Sequence, residues 1–154
     1  MNRFDSKYLR MAQIWASNSY ARRSKVGALI VKDGMIISDG YNGTPSGFDN
    51  NCETEEMVTY REGSLDEYTV KELVTKPEVL HAEANAITKV AKSTNSSDGS
   101  TMYVTLSPCL ECAKLIIQSG IKRLVYNEEY RDTSGLELLK KAGIEVEQIK
   151  NIEE

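Results

Sequence analysis

Residues 101–127 read TMYVTLSPCLECAKLIIQSGIKRLVYN. TMYVTL is rich in β-branched and aliphatic residues and predicts a strand. Pro108 stands where a first helical residue belongs, CLECAKLIIQS continues as a helix, and Gly120 is a C-terminal stop. IKRLVYN predicts the next strand. Strand, helix, strand in succession is a crossover, and a crossover of this kind makes its strands parallel. Downstream the alternation continues, with TSGLELLKKAG as a helix ending at Gly143 and IEVEQI as a last strand. Upstream, HAEANAITKVAK is a helix of strong formers followed by the polar connection STNSSDGS. Further back, VGALIVKDGMIISDGYNG reads as a hairpin turning at Lys32-Asp33-Gly34. Phe4, Tyr8, Met11 and Trp15 recur at helical spacing, so a first helix fading near Tyr20 is expected to lay that stripe on the sheet. From Thr44 to Pro77 the pattern weakens. TPSGFDNNCETEE is turn-rich and acidic, mixed helix signals follow, and residues 49–79 read as an insertion of uncertain structure rather than a domain. The whole is an α/β layered chain, read as a single domain over residues 1–154.

Composition bounds what such a chain can do. With 154 residues and 40% hydrophobic content it can bury one core. A formal charge of −4 and a pI near 5.2 argue against a sequence-independent grip on a polynucleotide, which needs a broad Lys/Arg surface. A small phosphate compound is the better expectation. MNRFDSKYLRMAQIW lacks a signal peptide's apolar stretch, and no run approaches the roughly eighteen apolar residues of a membrane span, so a soluble, cytoplasmic protein is expected. Three cysteines, at 52, 109 and 112, do not make an even disulfide framework, which favours metal or redox chemistry.

A CxxC pair can be a redox couple, half of a structural zinc clip, or two ligands of a catalytic metal. Here Cys109 and Cys112 fall at a strand's end and a helix's first turn, where unpaired N–H groups and the helix dipole favour thiolates. His81, the chain's one histidine, also opens a helix just before the strand that leads to the cysteines. Three protein ligands leave a catalytic zinc one position for water, whereas a structural site closes with four, and Cys52 alone could be the fourth. Glu83, two residues after His81, can stand beside a metal-activated water without ligating the metal, accepting and redelivering its proton. An H-x-E followed by P-C-x-x-C in this order is the signature of zinc deaminases.

On HAEANAI, TLSPCLECAKLIIQSGIKRLVY and SKVGALIVKDGMIISDGYNGTPSGFDN, the chain resembles the cytidine and deoxycytidylate deaminase superfamily along nearly its whole length. KVGA and GYNGTPSG look like the dCMP branch carried by bacteria, eukaryotes and large DNA phages. The resemblance implies a three-layer α/β fold with a five-stranded mixed sheet flanked by helices. It implies Zn²⁺ on His81, Cys109 and Cys112, with Glu83 moving protons as dCMP is hydrolysed to dUMP and ammonia for thymidylate synthesis. Ala82 would fix the base through its N–H, and Asn42 would contact base or sugar, although Asn-Gly is also a good turn former. Arg22, Arg23, Ser24 and Lys25 form the densest positive cluster and are candidates for the phosphate; capping a helix C-terminus is their alternative. Tyr130 and Arg131 are candidates for sugar or phosphate, or else members of an exposed loop. Members of the branch respond to dCTP with Mg²⁺ (activation) and to dTTP (inhibition), which would involve Gly40, Asn42 and Gly43, and they form hexamers. One zinc per chain is expected, with Cys52 a free, partly buried thiol, no membrane or polynucleotide partner, and residence in the cytoplasm, the host's if phage-encoded. The rivals are a deaminase of dCTP, guanine, a pterin or tRNA adenosine, and a catalytically silent zinc module.

Overall fold

In the computed structural model, which describes residues 2–63 and 66–152, the buried residues of the central strands alternate between two faces. On β1 (Gly27–Lys32), Ala28 and Ile30 face one side while Leu29 and Val31 face the other. The same period of two runs through β5 (Thr101–Leu106) and β6 (Arg123–Glu128): Met102, Val104, Leu124 and Tyr126 point one way, Tyr103 and Val125 the other. Two buried faces require two covering layers. α1 (Asp5–Ala16) covers one, and α2 (Ala82–Ala91), α3 (Leu110–Gln118) and α4 (Ser134–Lys141) cover the other. With β2 (Met35–Tyr41) and β7 (Glu145–Gln148) at the edges, the five-stranded sheet has the order β2-β1-β5-β6-β7. β1 is antiparallel to β2 and β5, and β5, β6 and β7 are parallel. The mixed, three-layer α/β fold is thus the one expected. The β1–β2 turn falls at Asp33-Gly34, both with positive φ (51° and 75°), as a tight primed turn requires.

Three local expectations are corrected. Of the expected stripe, Tyr8 packs towards the sheet, its ring centre 4.9 Å from that of Tyr103, but Phe4, Met11 and Trp15 lie on the outside; Asp5, Leu9, Ala12 and Ala16 face the sheet, and the helix ends at Ala16 rather than near Tyr20. The reason is close packing: a Cβ on Gly27 would lie 2.8 Å from the Ala16 N, so only small residues fit between helix and strand. Pro108 is not the first helical residue. It is fully buried one position before the N-cap, which is Cys109. The segment with mixed helix signals is instead a two-stranded antiparallel hairpin, β3 (Glu53–Glu62) and β4 (Asp66–Thr75), with Thr59 facing Thr69, Val58 facing Val70, and Tyr60 stacked on Tyr68 at 5.5 Å between ring centres. Cross-strand pairs of β-branched and aromatic residues carry it.

Asp5 anchors α1 to the sheet. Its fully buried carboxylate accepts two bonds from Arg123 (2.9 and 2.6 Å), one from the Tyr103 hydroxyl (2.6 Å) and one from the Asn2 N–H (2.7 Å). Burial alone would raise its pKa, but the donors from Arg123, Tyr103 and Asn2 together hold it below the usual carboxylate value. A depressed folded-state pKa contributes stability above the unfolded value, near 4, and loses it as pH falls through the lower folded value. Asp5→Asn is therefore expected to cost about 3 kcal/mol at neutral pH, with a much smaller deficit at acidic pH, measured by urea unfolding across pH. An equal deficit at all pH values would contradict the assigned ion pair.

Candidate active site

The C-terminal end of β5 and the N-termini of α2 and α3 meet at one point. His81 is the N-cap of α2 and Cys109 the N-cap of α3, both in extended conformation, and Cys112 sits one turn into α3. His81 Nδ1 lies 3.5 Å from Cys109 Sγ and 3.3 Å from Cys112 Sγ, and the three ligating atoms all fall within 4.8 Å of one another. Tetrahedral zinc with N at about 2.1 Å and S at about 2.3 Å separates such donors by about 3.6 Å, so the residues present fit that ion. Cys52 lines the same cavity but is outside this group; it is a free thiol, more completely buried than expected, with its pKa raised by burial and then by the charge of Glu53.

The electrostatics of the cluster suit a cation. The Cys109 thiol is pulled down to about 4, first by a hydrogen bond from Cys112 and then by His81, while Cys112, donating to Cys109 and buried, is pushed up. The hydrogen bond to Cys109 raises His81, against the opposing effect of its burial. Glu83, on the first turn of α2 and 4% exposed, is raised to about 7 by burial, which outweighs the bond from its own backbone N–H. A carboxyl group poised there can both accept and give a proton near neutral pH.

Rigid backbone contacts hold these groups in place. Gly43 and Leu80 exchange backbone hydrogen bonds of 3.0 and 2.8 Å, which fixes the residue before His81. Asn85 Nδ2 donates to the Tyr41 carbonyl and Ser38 Oγ to the Ala86 carbonyl, locking α2 on β2. Gly40 lies directly beneath α2, where a Cβ would stand 2.7 Å from the Ala86 N and closer still to the Ala82 carbonyl. Gly40→Val is therefore expected to shift α2, costing about 3 kcal/mol and lowering metal occupancy, as thermal melts and zinc analysis would show. Retention of both would mean that α2 can slide without moving His81. Gly135 does the same for α3: a Cβ there would stand 2.8 Å from the Cys109 carbonyl, so the start of α4 abuts the cysteine loop.

A cavity of about 360 Å³ opens above the cluster. Its floor is His81, Ala82, Glu83 and Cys109, and its walls include Arg23, Ser24, Asn42 and Tyr130. Arg22, Lys25 and Arg131, proposed from sequence beside them, do not line it. Arg22 reaches Asn51 and Glu53, while Arg131 lies 6.0 Å from the Tyr130 ring centre. Asn42 lines the cavity, yet its side-chain amide is engaged, accepting from the Val26 N–H (2.9 Å) and donating to the Ser24 carbonyl (2.8 Å). These bonds span 16 and 18 residues, so Asn42 braces the 24–26 segment through tertiary contacts rather than forming a local turn. Sequence reasoning missed Glu53, Thr75, Val26 and Ser107 in the wall. Ser107 could have been found from its place at a strand's C-terminal end; its Oγ accepts the Tyr130 N–H at 2.7 Å and sets that residue at the rim. Among the described residues no helix is long and apolar enough to cross a membrane.

Comparison with known proteins agrees with this geometry. Residues 2–128 match the family model described as the cytidine and deoxycytidylate deaminase zinc-binding region. The deoxycytidylate deaminase of Enterobacteria phage T4 is 40% identical over 171 residues, covering 92% of this chain and 87% of the relative, and the Homo sapiens deoxycytidylate deaminase is 38% identical, covering 82% and 66%. The dCMP deaminase of cyanophage S-TIM5, solved in complex with dCMP and dUMP, superposes with a TM-score of 0.81 at 42% identity over 97% of this chain and 99% of that one. The two cysteines, the histidine and the buried glutamate thus stand in a scaffold shared across these proteins, and the chain belongs to the cytidine and deoxycytidylate deaminase family.

Proposed function

We propose that this protein hydrolyses dCMP to dUMP and ammonia at one zinc ion per chain, held by His81 Nδ1 and the sulfurs of Cys109 and Cys112. The observation that carries the reading is Glu83: a buried carboxyl group, raised to about 7, beside a three-ligand cluster at the floor of a cavity large enough for a nucleotide. When bound, the metal supplies Lewis acidity and an activated water near neutral pH. Glu83 takes the proton released there, delivers it to N3 of the cytosine ring, and then carries a second to the departing amino group. The Ala82 N–H, at the first turn of α2, orients the base, and Val26, Val79 and Leu106 supply apolar lining among the polar groups of the cavity. Arg23 and Ser24 receive the 5′-phosphate together with Tyr130, while Asn42 acts through the 24–26 segment it braces. Arg22, Lys25 and Arg131 lie further out and contribute long-range positive potential.

The choice of dCMP is supported by relatives named for that substrate and by the cyanophage protein crystallised with dCMP and dUMP. One zinc per chain is supported by a single ligating group among the described residues. Activation by dCTP with Mg²⁺ and inhibition by dTTP would act through Gly40, Asn42 and Gly43, a reading supported by the close approach of Gly40 to α2 and the pairing of Gly43 with Leu80, next to His81. A hexamer would cover Phe4, Met11, Ile14 and Trp15, the exposed side of α1. The product dUMP would feed thymidylate synthesis in the cytoplasm. Ammonia release from dCMP, dCTP, cytidine and guanine, measured side by side with zinc content, tests the reading; dCMP is expected to dominate at one zinc per chain. Activity confined to guanine, or two zinc ions per chain, would overturn it.

A further inference from the structure

The cavity wall contains a carboxylate that the chemistry above does not use. Glu53 opens β3, is 1% exposed, and lines the cavity on the side of Arg23 and Thr75. Its Oε2 is fully engaged, accepting the N–H groups of Arg22 (2.9 Å) and Arg23 (3.0 Å). Its Oε1 has no hydrogen-bond partner, the only buried side-chain oxygen or nitrogen among the described residues in that condition. The Arg22 Nε, 3.7 Å away, is beyond hydrogen-bond distance and belongs to a half-exposed side chain. Thr75, which faces Glu53 across the hairpin and whose hydroxyl oxygen accepts from Arg23 at 3.2 Å, makes no hydrogen bond to Oε1.

A carboxylate oxygen accepts only, and one buried with no hydrogen bond beyond the long Arg22 ion pair is costly, so an occupant of the cavity that brings a donor to Glu53 is favoured. A deoxynucleoside 5′-phosphate has few. Its amino group belongs at the Glu83 end, and its dianionic phosphate only accepts. The sugar's 3′-hydroxyl is the donor that remains. We propose, on the deaminase reading above, that Glu53 is a specificity-determining residue that accepts a hydrogen bond from a free 3′-hydroxyl and thereby confines the enzyme to mononucleotides. A 3′-phosphodiester brings no proton and sets a second anion against the carboxylate, so nucleotides inside a polynucleotide are rejected at the wall. The chain's net charge of −4 acts in the same direction at longer range.

The test compares dCMP, 2′,3′-dideoxycytidine 5′-monophosphate and the 5′-phosphorylated dinucleotide pdCpdA as substrates of the zinc-loaded enzyme. In the unmodified protein, loss of the hydroxyl is expected to lower kcat/KM roughly 100-fold or more, because a site built around a donor rejects the analogue lacking it, and the dinucleotide should not react. Glu53→Gln should lower kcat/KM on dCMP while leaving the dideoxy compound nearly unaffected, narrowing the gap to about tenfold or less. Dideoxy and deoxy substrates processed within about threefold of each other by the unmodified enzyme would overturn the inference, as would an equal loss on both in the variant, which would mark Glu53 as a brace for Arg22 and Arg23 alone. Failure to deaminate dCMP itself would overturn the functional reading first, and the two failures are distinct in the same data.

Discussion

Glu83→Gln is expected to lower turnover by about 10³ to 10⁴ while zinc content stays at one per chain and the melting temperature is unchanged or higher. The magnitude follows from general acid–base catalysis, for which a positioned group contributes about 10² to 10⁴, placed at the upper end because one carboxyl group serves both transfers. The stability sign follows from burial: Glu83 is 4% exposed and its charged form is disfavoured, so a neutral side chain of the same size relieves that penalty. Steady-state ammonia release with elemental analysis on the same preparation decides it. A variant that loses its zinc would show Glu83 to be a ligand rather than a proton carrier, and one that keeps its turnover would remove it from the chemistry.

Cys112→Ala should reduce zinc to below about a tenth of an ion per chain and turnover to background. Removing one of three protein ligands leaves too few donors for a tight site, and metal affinity here is also folding free energy. Cys112 is 3% exposed at the junction of α2 and α3, so the substitution also leaves a small void, and a Tm lower by several degrees is expected. Cys52→Ala separates ligation from thiol count. Cys52 is buried in the same cavity wall, yet it lies outside the ligating group, so zinc content should remain at one. Loss of zinc from both variants would mean that the metal has four protein ligands and no open position.

How far the sequence carried depends on where each element's partners lie. TMYVTL and IKRLVYN were legible because both faces of these strands are buried, giving nearly continuous apolar runs. The site was legible because His81, Glu83, Cys109 and Cys112 sit at helix starts, where short-range spacing fixes geometry. The orientation of α1 was not. Size was read as burial, whereas Ala12 and Ala16 face the sheet because Gly27 brings strand and helix together at backbone distance. The 53–75 hairpin escaped because its side chains are mostly exposed on both faces, so no contrast between inside and outside marks its period of two. Glu53 escaped for a different reason: it looks like one member of an acidic run, and its partners are backbone N–H groups from thirty residues earlier, to which sequence pattern is blind.

The strand order also bears on how the chain is made. β1 lies between β2 and β5, yet roughly seventy residues separate the end of β1 from the start of β5. A ribosome delivers that interval in on the order of ten seconds, during which the first hairpin emerges with one apolar edge bare. That edge is Ala28-Leu29-Ile30-Val31, a segment suited to pairing with another nascent copy. Holding synthesis short of residue 101 should therefore yield a chain that aggregates through β1, with solubility returning once β5 has been made.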